Sequence, residues 1–277
     1  MRKCAWLVVI AACVLAARPL QSQSFSAFDF KTTPPLTVPA ISDVELKQLI
    51  ATLDRLVGPA TATPPTNNAD EAGAVWQFAR RLQAGRLTSA QESRVLAHLD
   101  ALSRARPGRE AAFAGPRRMI KELTVGKVAP PITGTDLDGR AFSLADYRNK
   151  VVALIFSAEW CGICKAQAPY ERFLLDKYGN WPFAILGVQT GSNRATARQT
   201  QTTDPRSSRA WWDAPQPNNP NGPIANAWHV VGWPATYVID GEGIIRFVDV
   251  RDEDLLRAVR QLVEVQADRD IAASRRK

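Results

Sequence analysis

Cys161 and Cys164 are separated by two residues in Trp160-Cys161-Gly162-Ile163-Cys164-Lys165. Two thiols at this spacing can close a local disulfide or share a metal ion. Zinc would need two further ligands. No second Cys-x-x-Cys exists, and the two histidines, His98 and His229, lie far apart in sequence without partners. No metal and no cofactor is therefore expected. As a structural staple the pair is poor, because so small a loop removes little entropy from the unfolded chain. Redox use is the better reading. The pair follows the continuous apolar run Val151–Phe156, which suits a strand buried on both faces, and precedes helical sequence from about Gly162 to Lys177. A helix N-terminus offers free N–H groups and the positive end of the macrodipole, both of which stabilise a thiolate. Cys161 is the expected nucleophile. Cys164, one turn further in, is expected to resolve the mixed disulfide.

The chain has 277 residues, 45% of them apolar and 22% charged, which is ordinary globular composition. Its net charge is +8. The first residues, Met1-Arg2-Lys3, are followed by apolar sequence from Ala5 to Ala17. That is the pattern of a secretory signal peptide, expected over residues 1–23, with export to the periplasm or cell envelope. Its removal takes away Arg2, Lys3 and Arg18 and leaves +5. The remaining basic residues are scattered, so nucleic acid is not an expected partner. Ile10-Ala11-Ala12-Cys13 also resembles a bacterial lipobox, and a lipid anchor on Cys13 is the alternative. If cleavage follows Cys13, the mature chain keeps only the Cys161–Cys164 pair.

Residues 24–40, rich in Ser, Thr and Pro, read as an exposed linker. Residues 41–123 read as a small all-helical region. Ser42 and Glu45 stand at capping-box spacing before a helix over 42–57 with Val44, Leu46, Leu49, Ile50, Leu53, Leu56 and Val57 on its apolar face. Further helices are expected over 70–84 and 89–105, with a weaker one over 109–123 disturbed by Gly115-Pro116. From 124 to 267 strands and helices alternate, with strands at 151–156 and 183–188 and a helix at 193–202. A surface loop over 213–223 follows, then a hairpin around Gly241-Glu242-Gly243 and a final helix at 252–265. A frayed polar tail, 268–277, completes the division.

The residues around the cysteines resemble a known family. Ala158-Glu159-Trp160-Cys161-Gly162-Ile163-Cys164-Lys165 is similar to the thioredoxin active site, and Pro169 matches the proline that kinks its helix. Val231-Gly232-Trp233-Pro234-Ala235-Thr236-Tyr237 resembles the segment carrying the cis-proline. Gly126-Lys127-Val128-Ala129-Pro130, Asp136-Leu137-Asp138-Gly139 and Leu144-Ala145-Asp146-Tyr147-Arg148 resemble the N-terminal hairpin of the exported TlpA/ResA redoxin branch. The resemblance covers roughly 124–267. It implies an α/β thioredoxin-like fold with an N-terminal β-hairpin, and a thiol–disulfide oxidoreductase with Cys161 and Cys164 as its redox-active, catalytic disulfide. Trp160, Trp233 and Pro234 would shape the site. Trp160 would shield the sulfurs, Pro234 would be cis and exclude a metal, and the Trp233 backbone would pair with an extended partner segment.

Its implied partners are protein disulfide substrates and an external, membrane-bound electron donor. The leading reading is a reductase of specific envelope disulfides, for example in cytochrome c maturation. A peroxiredoxin-like peroxidase is disfavoured by Ala158 where a hydroxyl residue is needed. A non-enzymatic binding module, with Trp211-Trp212, Trp228 and Trp233 forming a groove, is the other alternative; a core cluster is favoured for those tryptophans.

Two departures affect proton transfer. Thioredoxins carry a buried acid six residues before the first cysteine, where this chain has Ile155. Some ResA-like proteins carry a glutamate three residues after the second, where this chain has Gln167. The expectation is that water, or less readily Glu159, takes the Cys164 proton and that resolution is slow near pH 7. Gly162-Ile163 carries no histidine, so an intermediate to reducing potential is expected.

Overall fold

Val151–Ala158 is apolar along almost its whole length because both of its faces are covered. Side chains alternate across a strand. Val152, Leu154 and Phe156 therefore enter one core, and Val151, Ala153 and Ile155 enter a second.

The computed structural model describes residues 33–58, 68–217 and 219–276. The expected signal peptide, Cys4, Cys13 and most of the 59–68 loop lie outside them. Four helices come first: α1 (Asp43–Val57), α2 (Asn68–Gln83), α3 (Ser89–Arg104) and α4 (Glu110–Glu122). A short hairpin, β1 (Thr133–Thr135) and β2 (Ala141–Ser143), and a 3-10 turn, Leu144–Tyr147, lead into β3 (Val151–Ala158). Then come α5 (Gly162–Tyr178), β4 (Phe183–Thr190), α6 (Arg194–Thr203), β5 (Arg209–Trp212), α7 (Pro223–Ala227), β6 (Ala235–Ile239), β7 (Ile245–Val248) and α8 (Asp252–Ser274). The main sheet has the order β5-β4-β3-β6-β7. The β3–β4 and β4–β5 pairs are parallel, whereas β3–β6 and β6–β7 are antiparallel. This is the expected α/β thioredoxin-like arrangement with a preceding hairpin and helical region.

Among the described residues the helical region has no separate core. Leu46, Leu53, Val75, Leu82, Leu99 and Ile120 join one continuous cluster with Val152, Leu154, Phe156 and Leu186 of the sheet. Helices α5 and α8 cover the opposite face. Polar contacts fix the junction. The Gln83 amide donates to Tyr237 Oη at 2.9 Å and to the Leu123 carbonyl at 3.1 Å, all buried. Arg80 pairs with Asp249 at 2.7 Å, and Lys127 with Glu92. Within the helices, buried Glu71 lies between Arg106 and Arg109, tying α2 to the α3–α4 connection. His98 pairs with Asp54 at 2.7 Å, a contact between α3 and α1.

Thr88 and Gln91 form a complete capping box on α3. Several sequence expectations need correction. On α1, Ser42 accepts from the Glu45 N–H, but the Glu45 carboxylate reaches Arg81 instead of closing the box. Val44 and Leu56 are 69% and 59% exposed, so the apolar face of α1 is narrower than its composition suggests. Helix α4 runs through Gly115-Pro116, because Phe113, Met119 and Ile120 anchor it on both sides. Gly115 is needed there: a Cβ would lie 2.6 Å from Trp76 Cζ2.

The 24–40 linker is not free over its described part. Leu36 exchanges two hydrogen bonds with the Gln261 side chain, Arg257 donates to the Pro34 carbonyl, and Leu36 and Val38 pack on the second core. The expected tail is helix as far as Ser274, continuing α8 past the boundary at 267. Neither β5 nor α7 is anticipated from the sequence. In the expected 213–223 loop, Asp213 is buried and accepts from the Ile224 and Ala225 N–H groups, capping α7. Among the described residues no helix is long and apolar enough to cross a membrane.

Candidate functional site

β3 delivers the chain to the start of α5, and Cys161 occupies the N-cap position there. Its backbone is extended, and its Sγ accepts from the Cys164 N–H at 3.1 Å. The two cysteines are joined as a disulfide with Cα atoms 5.3 Å apart. Both are buried, yet their neighbours Trp160 and Ile163 are 57% and 58% exposed, so the bridge lies just beneath an apolar rim. A thiolate formed at Cys161 would face the unpaired N–H groups of the first turn of α5.

The Trp233–Pro234 peptide bond is cis, as the resemblance implies. Trp233 packs on the cluster of Ala158, Cys161 and Cys164, and its ring meets Trp160 edge-on at 5.1 Å. The structure thus brings together all five expected residues: Cys161, Cys164, Trp160, Trp233 and Pro234. β6 begins at Ala235, so Trp233 and Pro234 lie just beyond the sheet's own pairing. Arg251 donates to the Pro234 carbonyl at 3.1 Å. On the other side His229, with φ +50°, packs beside Trp76 at 6.0 Å between ring centroids. The loop opposite the cysteines is therefore braced by α2 and by the start of α8.

The other tryptophans do not form a groove. Trp211 is fully buried and stacks on Phe142 at 4.0 Å, while Trp228 packs on Phe156 and Tyr237. Among the described residues no group of three or more His, Cys, Asp or Glu side chains is placed to hold a metal ion.

The acids around the pair are arranged in a way the sequence reading missed. Ile155 and Gln167 occupy the two positions where the resemblance implies acids. The Gln167 side-chain oxygen accepts from the Asp252 N–H at 3.2 Å, joining α5 to α8. Glu159 turns away into the β4–α6 connection, where it accepts from the Ser192 N–H at 2.7 Å. Gly191 makes that turn possible, since a Cβ there would lie 2.7 Å from the Glu159 carboxyl. The unexpected acid is Glu171, on the buried face of α5 and only 5% exposed. Burial pushes its carboxyl up from 4.5 to about 7, against the pull of Arg206. The available signal was its spacing: Glu171 follows Cys164 by seven residues, two helical turns. A small cavity of ≈ 10 Å³ is lined by Ile155, Ser157, Glu171 and Arg206 among others. A second, open cleft of ≈ 330 Å³ lies beside Trp160, between Glu159, Lys165 and Thr196.

Residues 125–248 match the model of the AhpC/TSA family. Over 124 residues the chain is 30% identical to the thiol-disulfide oxidoreductase ResA of Geobacillus kaustophilus, covering 45% of this chain and 68% of that protein. It is 28% identical over 146 residues to alkyl hydroperoxide reductase E of Mycobacterium tuberculosis, covering 49% of this chain and 90% of that one. Among solved structures, the thioredoxin domain of a thiol-disulfide oxidoreductase from Bacteroides vulgatus is similar at 28% identity, with a TM-score of 0.46. The match covers 51% of this chain and 99% of that domain.

Proposed function

The chain belongs to the ResA family of thiol–disulfide oxidoreductases, and from that membership we propose that Cys161 and Cys164 are its redox-active pair. In this reading the protein is an exported reductase of specific envelope protein disulfides, for example those of apocytochromes during cytochrome c maturation. The observation that carries the assignment is the disulfide itself, with its first sulfur at the N-cap of α5 and a cis-proline loop packed against it. Cys161 attacks a partner disulfide and one partner sulfur leaves as a thiolate. Cys164 then attacks Cys161, which frees the second partner sulfur and leaves the pair oxidised. Trp160 and Trp233 border the sulfurs. The Trp233 backbone, lying beyond the β6 ladder, takes an extended segment of the partner.

The pair must be reduced again for each turnover, and a membrane-bound dithiol donor fills that role in this proposal. Residues 1–23 act as the export signal, with a lipid anchor on Cys13 as the variant of that scheme. The domain division proposed is a helical region, 41–123, and a thioredoxin-like unit from 124, built on a shared core.

Equilibrating the protein with glutathione or dithiothreitol buffers tests the direction. A potential near or below about −250 mV supports a reductase, and one near or above about −180 mV refutes that direction in favour of an oxidase or isomerase.

The similarity to alkyl hydroperoxide reductase E favours a second reading, a peroxidase. Against it, Ala158 brings no hydroxyl to the position three residues before Cys161. Its strand neighbour Thr190 donates its hydroxyl to the Pro220 carbonyl at 2.9 Å. Consumption of hydrogen peroxide by the reduced protein separates the two readings.

A further inference from the structure

Resolution of a mixed disulfide at Cys161 needs Cys164 as a thiolate, so a proton must leave a sulfur that is 2% exposed. The nearby candidates are apolar, occupied or turned elsewhere. Ile155 carries no acid, and the Gln167 oxygen is taken by Asp252. Glu159, although its Oε2 has no partner, is turned into the β4–α6 connection, where its Oε1 accepts from the Ser192 N–H and its carboxyl lies against Gly191. Glu171 remains. Seven residues of ideal α-helix turn through about 700° and rise about 10 Å, so apart from any bend at Pro169 the two residues share one stripe of α5, and both are buried. Helical side chains lean toward the N-terminus, which points the Glu171 carboxylate back along the line to Cys164. The cavity lined by Ile155, Ser157 and Glu171 has room for about one water. Arg206 also lines it and donates to the Cys164 carbonyl at 3.2 Å.

We propose that Glu171 is the proton acceptor for Cys164, acting through a water held in this cavity. The inference rests on Cys161 and Cys164 being the redox pair. The Cys164 S–H bond breaks and its proton passes through the water to the carboxylate. The resulting thiolate forms the Cys161–Cys164 bond as the bond from Cys161 to the partner sulfur breaks. The partner sulfur leaves as a thiolate with the electron pair and takes a proton from solvent.

The charged groups that act on Glu171 are Arg206 and Asp204, from the segment after α6, and Arg172 on α5 itself. The remaining polar walls, Ser157, Gln189 and Ser207, are neutral. Burial holds the carboxyl near pH 7, where an acceptor is half ionised and most useful. The acid absent from the strand at Ile155 is thus supplied from the helix across the same cavity. The slow resolution expected from the sequence gives way to resolution that accelerates as pH rises through about 7.

Single-turnover oxidation of the reduced protein by glutathione disulfide tests this. Attack by Cys161 is measured in Cys164→Ala, with and without Glu171→Gln. Resolution is measured in the Cys164-containing proteins. Glu171→Gln is expected to slow resolution by roughly 10²-fold at pH 8 and to erase the inflection near pH 7, leaving Cys161 attack within about threefold. An unchanged rate and inflection would overturn the proposal alone. Failure of the wild-type protein to form any mixed disulfide would overturn the redox-pair reading, and the proposal with it. Infrared difference spectra of oxidised against reduced protein give a second readout. A carboxyl band that changes on reduction, and is lost in Glu171→Gln, is expected; its absence from the wild type overturns the proposal.

Discussion

Neutralising position 171 should change how the stability of the oxidised protein depends on pH, independently of any redox chemistry. Glu171 is buried, and its carboxyl titrates at about 7 in place of 4.5. That displacement is worth about 3 kcal/mol at ~1.36 kcal/mol per pH unit. Below about pH 4.5 both folded and unfolded chains hold the proton, and burying the group carries no charge penalty. As pH rises toward about 7 the unfolded chain ionises first, so it binds fewer protons than the folded one and stability falls. Above about pH 8 the loss is complete. Glu171→Gln has no proton to lose. Near pH 4 the variant should match the wild type, and near pH 8 it should be more stable by about 3 kcal/mol, or roughly 6–12 °C in melting temperature for a chain of this size. Urea titrations at both pH values give the numbers. Other ionisable groups contribute to both proteins and cancel in the difference between the two pH effects. Stability curves that run parallel from pH 4 to 8 would refute the argument that Glu171 is buried without adequate charge compensation.

Cys161→Ala should abolish exchange with protein disulfides, whereas Cys164→Ala should accumulate a mixed disulfide visible as a mass increase on the intact chain; the reverse pattern would exchange the two roles. Gln83→Leu leaves the Tyr237 hydroxyl and the Leu123 carbonyl buried without their shared partner. A loss of about 2–4 kcal/mol in urea unfolding is expected, partly recovered by adding Tyr237→Phe. Gly115→Ala drives a methyl group to 2.6 Å from Trp76 Cζ2 and should cost about 1–3 kcal/mol, read from thermal melting. An isolated 124–277 piece would expose the side of Val152, Leu154 and Phe156 that α1–α4 cover. It should aggregate or bind a hydrophobic dye, and a well-dispersed, cooperatively folding piece would show that the shared core is dispensable.

The elements most visible in the sequence were those with a strong local signature. The apolar runs of β3 and β4 and the hairpin around Gly241 and Gly243 each carry their own physical cause. What escaped depended on partners far away in the chain. β5 is four residues long and exists because β4 offers it an edge. α7 is five residues long and starts where Asp213 can cap it. Residues 33–40 looked like linker because their composition is that of a linker. Side chains of α8 more than two hundred residues away, Arg257, Arg260 and Gln261, together with the Arg86 backbone, give their backbone somewhere to bind. Helix α4 survives its internal proline for a related reason, since burial of Phe113, Met119 and Ile120 offsets the missing hydrogen bond.

The site divides along the same line. The two cysteines and the proline opposite them are chemical necessities at fixed spacing, and residue type alone announces them. A proton acceptor is different, because the requirement is a carboxylate near a buried sulfur and not a carboxylate at one sequence position. Position 155 reaches the cavity from β3, and position 171 reaches it from α5. An acid lost from the first and present at the second therefore leaves the local chemistry similar while removing every familiar local sign of it. Counting back from Cys161 and forward three from Cys164 finds Ile155 and Gln167, and suggests that the acid is missing. The helical period carries the missing information: two turns after Cys164, on the stripe that must face the sheet, a residue type that is rarely buried stands among apolar ones. A buried, poorly compensated carboxylate costs stability, as worked out above for Glu171. Such a cost at a position where leucine would pack without penalty is what a group kept for its proton would show.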